Sequence, residues 1–197
     1  EKGQMKICRV INRLDRNTSG LVLIALDAHS AEKLKGTVEK TYTAIAQGRF
    51  ENVHGIIDRP IARQRESIIT RCVREDGQRA VTEYWVKKSD DNFTLCDIRL
   101  HTGRTHQIRV HFQHIGHPLF NDYLYGGDSI IKGTTFTKYR QFIENCFREI
   151  PRHCLHAKIL GFVHPTTGET MYFDSELPSD MVSVLDKWRN YIKTRTE

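Results

Sequence analysis

No run of apolar residues in this 197-residue chain approaches the ~20 that a membrane-spanning helix needs. No basic segment followed by an apolar one opens it as a secretion signal would. Cysteine is sparse and unpatterned: Cys8, Cys72, Cys96, Cys146 and Cys154 are odd in number, widely spaced and without a C-x-x-C pair. That argues against a disulfide framework or a cysteine-rich zinc site and for a reducing cytoplasmic compartment. Phosphate-loop and dinucleotide fingerprints are missing, so no nucleotide cofactor is expected. The ten histidines include His111, His114 and His117 at a spacing of three. Yet H-x-x-x-H with a catalytic Glu is absent, no closed ligand set accompanies them, and no metal is expected.

What is present describes an ordinary globular chain, 39% hydrophobic and 27% charged. Its length suits one well-buried domain and is short for two. Lys and Arg number 30 against 24 Asp and Glu, a net charge of +6. A modest basic excess suits a polyanionic partner, because each neutralised phosphate releases counterions. Many basic proteins bind no nucleic acid, so charge alone does not choose.

The punctuation predicts an α+β domain with a mixed, mostly antiparallel β-sheet flanked by helices and loops. Asp27 can cap a helix over 27–40, with Leu34 and Val38 on one face. Strands are expected over 42–50, 67–73, 80–86 and 93–100, separated by the turn compositions of 75–78 and 89–92. The run Leu21–Leu26 is short, continuous and partly β-branched, as a buried strand would be. Residues 155–163 and 170–173 form a hairpin around Pro165-Thr166-Thr167-Gly168. Helices are expected over 139–147 and 178–193, the second with Val182, Leu185 and Trp188 as its apolar stripe. Residues 126–135 read as a loop.

The most informative segment is Asn12-Arg13-Leu14-Asp15-Arg16-Asn17-Thr18-Ser19-Gly20. It sets one carboxylate between two arginines in a polar turn beside apolar runs. Such a turn can hold Asp15 at the edge of a core while presenting it to a cleft, and cationic neighbours favour its ionised form. The plainer alternative is that Asp15 caps the turn or pairs with Arg13 or Arg16.

A second segment predicts a helix from His106 to Ile115, capped by Thr105 and entered through Gly103. Ile108, Phe112 and Ile115 would pack inward, and His106, Arg109 and Gln113 would share an adjacent face. Free N–H groups at its start, with Arg104, make a phosphate site. For Arg109 a peripheral salt bridge remains the plain alternative, as half-buried packing does for Tyr42.

Four ordered motifs together resemble the RluA-type pseudouridine synthases. They are the Asn12–Gly20 segment; Lys40-Thr41-Tyr42-Thr43-Ala44; Gly103–His111 running on to Gly116-His117-Pro118 and Asn121-Asp122; and Leu155-His156-Ala157 with His164-Pro165 and Thr167-Gly168-Glu169. The resemblance spans residues 12 to about 180. It implies the pseudouridine synthase catalytic fold over 1–197, lacking a native N-terminal strand region that family members usually carry. It also implies Asp15 as the catalytic carboxylate, Arg109 as its pairing partner, and Tyr42 against the target base. Arg13 or Arg16 would lie near the extruded nucleotide or its phosphates. Arg104 and His106 would serve the substrate side, and Leu155 would form the apolar floor under uracil, with His156 structural. Position 12 departs from the pattern: the family usually has His there, and Asn12 is read as a supporting residue.

The implied reaction converts uridine in RNA, ribosomal or transfer, to pseudouridine without a cofactor. A carboxylate can attack C1′ or take the C2′ proton, and a base must then remove the C5 proton, with Tyr42 the leading candidate. The target base must leave its stack to be reached. A monomer suffices. Two rivals compete: an RNA-binding protein without catalysis, and a hydrolase using a carboxylate and a histidine, for which no motif specifies a second group aimed at water.

Overall fold

The computed structural model describes residues 7–131 and 137–196. Its centre is a seven-stranded sheet in the order β11-β10-β4-β9-β8-β5, with the short β2 pairing beside β10. These are β2 Ser19–Gly20, β4 Glu39–Gln47, β5 His54–Asp58, β8 Val81–Ser89, β9 Phe93–Leu100, β10 Leu155–Val163 and β11 Thr170–Asp174. Every ladder is antiparallel except β2 on β10, which is parallel. The fold is therefore the mixed, mostly antiparallel α+β arrangement that the turn spacing predicts.

Strand β4 is buried without interruption from Tyr42 to its end at Gln47, because both of its faces are covered. Its Tyr42, Ala44 and Ala46 point into one core with Ile98, Phe50 and Tyr84. Helix α2, Gln107–His114, covers that face with Ile108 and Phe112, and Ile115 packs alongside. Ile45 points the other way, into a second core with Phe93 and Phe120. Helices α3, Thr137–Glu149, and α4, Ser179–Thr196, close that side. Asp90 accepts from the backbone N–H of Asn92 and Phe93 in the β8–β9 turn. It also accepts from the Trp188 indole, tying the hairpin to α4.

Several local expectations change. The capped helix begins as expected, with the Asp27 carboxylate accepting from the Ser30 N–H at 2.7 Å. It stops at Leu34, as α1 Ala28–Leu34, because Gly36 takes φ 77° and turns the chain into β4. The Leu21–Leu26 run is not a buried strand. Only β3, Ile24–Ala25, pairs there, with β1, Arg9–Val10, and Val22, Ile24 and Leu26 are exposed. Its backbone turns to local partners: Leu23 C=O accepts from the Ile11 N–H, and the Leu23 N–H donates to Asn12.

The expected strand over 67–73 shrinks to β7, Arg71–Val73, paired with β6, Ile61–Arg63. Neither β5 nor β6 was evident in the sequence. The stripe of α4 is Met181, Val184 and Trp188, with Leu185 partly buried, while Val182 is exposed. Residues 126–131 form no helix or strand. The remainder of that expected loop, 132–135, lies outside the described residues.

Candidate active site

The turn carrying Asp15 is held from within and from below. The Thr18 N–H donates to the Asp15 carbonyl at 3.0 Å, and Asn17 takes the left-handed conformation at φ 72°, one that Asn tolerates better than most residues. Asn12 is buried and uses both ends of its amide: Nδ2 donates to the Leu21 carbonyl, and Oδ1 accepts from the Leu23 N–H at 2.7 Å. Gly20, at φ 119°, lies flat on β10, where an added Cβ would fall 2.3 Å from the Ala157 carbonyl oxygen. Position 20 therefore has no room for a side chain.

Above this turn is a cleft of about 70 Å³. The turn contributes Arg13, Asp15 and Thr18, β4 contributes Lys40 and Tyr42, and Leu155 enters from β10. Leu100, Gly103, Arg104, Gln107 and Ile108 complete the wall. The fold thus gathers Asp15, Tyr42, Arg13, Arg104 and Leu155 from segments as far apart as residues 13 and 155. Asp15 is half-buried, and none of the described side chains donates a hydrogen bond to its carboxylate.

Arg109 and His106 lie behind this wall. Arg109 does not pair with Asp15. Its Nε and Nη2 donate to the two carboxylate oxygens of Asp122, each at 2.7 Å, and its guanidinium lies 4.8 Å over the Tyr125 ring. Both members of the pair are buried. A guanidinium in that position requires a carboxylate in contact, and Asp122 presents both oxygens in its plane. Burial pulls the Arg109 pKa down, but the bonds and charge of Asp122, then Tyr125 and Asp15, outweigh it and raise the pKa above its ordinary value. His106 shares a hydrogen bond with the Tyr125 hydroxyl at 2.7 Å. Burial lowers its pKa, with Asp15 opposing.

The entry to α2 also departs from expectation. Thr105 does not cap it. The cap position is His106, at φ 58° and without a side-chain cap bond. Thr105 instead accepts from Arg13 Nη2 at 2.6 Å, joining the Asp15 turn to the α2 entrance. Arg104 donates through Nε to the Arg79 carbonyl. Arg16 is exposed and outside the cleft wall. Gln113 is exposed and shares no site with His106 and Arg109.

Tyr42 is buried, and its phenol is pushed up to about 12, by burial first and then by Asp15. Lys40, two residues earlier and on the same strand face, is pulled below its ordinary value by burial and by Arg13. Lys40 was missed from the sequence, though the period-two relation to Tyr42 was available. Gln107 was missed too. Its amide donates to the Val81 carbonyl and Thr82, and accepts from the Arg104 N–H and Thr102, which fixes the 102–104 wall. Two of the three spaced histidines have structural partners: His111, on α2, bridges Thr82 and the Arg59 carbonyl, and His117, beyond the helix, donates to the Gln47 carbonyl.

The sequence profile of the RNA pseudouridylate synthase family matches residues 1–114. The chain belongs to this family. An uncharacterized RNA pseudouridine synthase of Bacillus subtilis is 42% identical over 187 residues, covering 92% of this chain and 59% of that relative. Ribosomal large subunit pseudouridine synthase D of Haemophilus influenzae is 34% identical over 194 residues, covering 95% of this chain and 58% of its own length. The chain therefore spans under two-thirds of these synthases. In structure, it resembles human RNA pseudouridylate synthase domain containing 4 with a TM-score of 0.68 at 23% identity, over 92% of this chain and 76% of that one. At that identity the likeness speaks for the pseudouridylate synthase fold.

Proposed function

We propose that this chain is the catalytic domain of an RNA pseudouridine synthase, isomerising uridines in structured ribosomal or transfer RNA without a cofactor. The observation that carries the reading is the placement of Asp15. In a chain of this family, its carboxylate stands at a cleft beside Tyr42 and Leu155, with no hydrogen-bond donor among the described residues. A carboxylate left open to the cleft is available to the ribose, either attacking C1′ or removing the C2′ proton.

Leu100, Ile108 and Leu155 supply apolar wall that compensates an extruded uracil for lost stacking. Tyr42 remains a neutral phenol at pH 7, given its value of about 12. It can hold the detached uracil by donating a hydrogen bond, and it can relay the C5 proton by accepting it on the phenol oxygen as its own hydroxyl proton passes to water. Arg109 acts on Asp15 through space, its guanidinium oriented by Asp122. Arg13, Arg16 and Arg104 face the RNA backbone, with His106 supporting the cleft from behind. The net charge of +6 supports a polyanionic partner.

Residues from one copy complete the cleft, which supports a monomer. The reading places the enzyme in the cytoplasm with its RNA. No helix among the described residues is long and apolar enough to cross a membrane.

The test is tritium release from ribosomal and transfer RNA transcripts carrying [5-³H]uridine, wild type against Asp15→Ala. Release by wild type alone establishes the isomerase. Tight RNA binding with no release by wild type establishes a non-catalytic RNA-binding protein instead.

A further inference from the structure

The catalytic turn has few bonds of its own, and its outer half is gripped by three side chains from one short segment. His153, buried at 2% exposure, shares a hydrogen bond between Nε2 and the Thr18 hydroxyl at 2.8 Å. Thr18 lines the cleft and closes the turn through its N–H to the Asp15 carbonyl. His156 Nδ1 shares a hydrogen bond with the Ser19 hydroxyl at 2.9 Å. Arg152 Nη1 donates to the Asn17 carbonyl at 3.2 Å and, at the same distance, to the Leu155 carbonyl. Each of Asn17, Thr18 and Ser19 thus has its own holder.

The holder is itself held. The Nε and Nη2 of Arg152 donate to both oxygens of Asp180, at 2.7 and 2.9 Å. Asp180 sits in the first turn of α4, and its neighbour Met181 is fully buried in the second core. The chain of contact runs from that core, through Asp180 and Arg152, to the turn of Asp15.

We infer that Arg152, His153 and His156 are positioning residues for Asp15, fixing the turn that carries it against the start of β10. The inference rests on the reading of Asp15 as the catalytic carboxylate. A reacting group misplaced by about 1 Å can lose on the order of 100-fold in rate, and groups on loops reach such precision only through supporting bonds. The bonds to Asn17, Thr18 and Ser19 supply that support without any of the three holders appearing in the cleft wall. Burial and the cations of Arg109 and Arg152 also keep the His153 imidazole neutral, which leaves one ring nitrogen as a donor and one as an acceptor.

The experiment measures kcat and KM for tritium release from [5-³H]uridine RNA, together with Tm, for wild type, His153→Leu, His153→Gln, Thr18→Val and the Thr18→Val/His153→Leu double variant. Asp15→Asn runs in parallel. The expected result is a kcat about 10- to 100-fold lower for His153→Leu and Thr18→Val, with KM within about twofold. The double variant should lose no more than the worse single one. His153→Gln should recover most of the rate, because its amide can reach the same hydroxyl. A wild-type kcat for both single variants overturns the inference. So does full additivity in the double variant, or a His153→Gln as slow as His153→Leu at unchanged Tm. If His153→Leu fails to fold, Thr18→Val alone decides by the same kcat criterion. Wild-type turnover by Asp15→Asn refutes the reading of the site, whereas a dead Asp15→Asn beside a fully active Thr18→Val and His153→Leu refutes only the positioning role.

Discussion

Arg109 clasps Asp122 with two 2.7 Å bonds, and Asp15 receives its influence only through space. A carboxylate bonded to a guanidinium is both oriented and partly neutralised. One that merely feels a nearby cation stays open to a substrate.

Removing the carboxylate of that pair should be costly. Asp122→Ala leaves the Arg109 guanidinium buried without a counter-ion, and such losses run to about 3–5 kcal/mol. Chemical denaturation of wild type and variant should show a midpoint shift of that order. A shift under about 1 kcal/mol would mean the pair behaves like an exposed one.

Asp15 should separate chemistry from binding. Asp15→Asn keeps the size and polarity of the side chain but removes the charge. We expect turnover to disappear while RNA affinity stays within about threefold, roughly 0.6 kcal/mol. Parallel filter-binding and tritium-release measurements read the two effects independently.

RNA affinity should fall linearly with the logarithm of salt concentration. Arg13→Ala and Arg16→Ala should each reduce that slope by about one if each side chain contacts a phosphate. Unchanged slopes in both would move the RNA path away from the Asp15 turn.

Acid stability should carry the mark of His153. Its pKa falls from 6.5 unfolded to about 3 folded, through burial first and then the charge of Arg109 and Arg152. Between those values the unfolded chain binds more protons, so stability rises with pH there. It is lost as pH falls from about 6.5 toward 3. His153→Gln removes this group, so its unfolding free energy should decline less steeply than that of wild type across that window, as urea titrations at several pH values would show.

Position 20 should accept no side chain. Gly20→Ala places a Cβ 2.3 Å from the Ala157 oxygen at φ 119°, a backbone region that L-residues rarely adopt. The expected result is displacement of the Asp15 turn, seen as lost turnover and faster amide exchange at Leu21, whose N–H donates to Ala157.

Local pattern was sufficient for much of this protein. The strand Phe93–Leu100 stands where turn chemistry at 89–92 and β-rich composition place it, and the hairpin of β10 and β11 surrounds the Pro165–Gly168 turn as expected. Period and punctuation act over a few residues, so a single sequence displays them. Strands β5 and β6 escaped because they are short and interrupted by polar residues. The run Leu21–Leu26 misled because apolar composition does not reveal whether a partner strand is available.

The chain by itself determined the fold class and, through the resemblance its local motifs carry, the family and the expectation that Asp15, Tyr42 and Leu155 share one site. Only the tertiary structure decided the partner of Arg109, the use of Thr105 as an acceptor for Arg13, and the grip of Arg152, His153 and His156 on the turn. Those bonds join residues from 13 to 137 positions apart. Which donor meets which acceptor at that separation depends on strand register and burial, and neither is written in the local sequence.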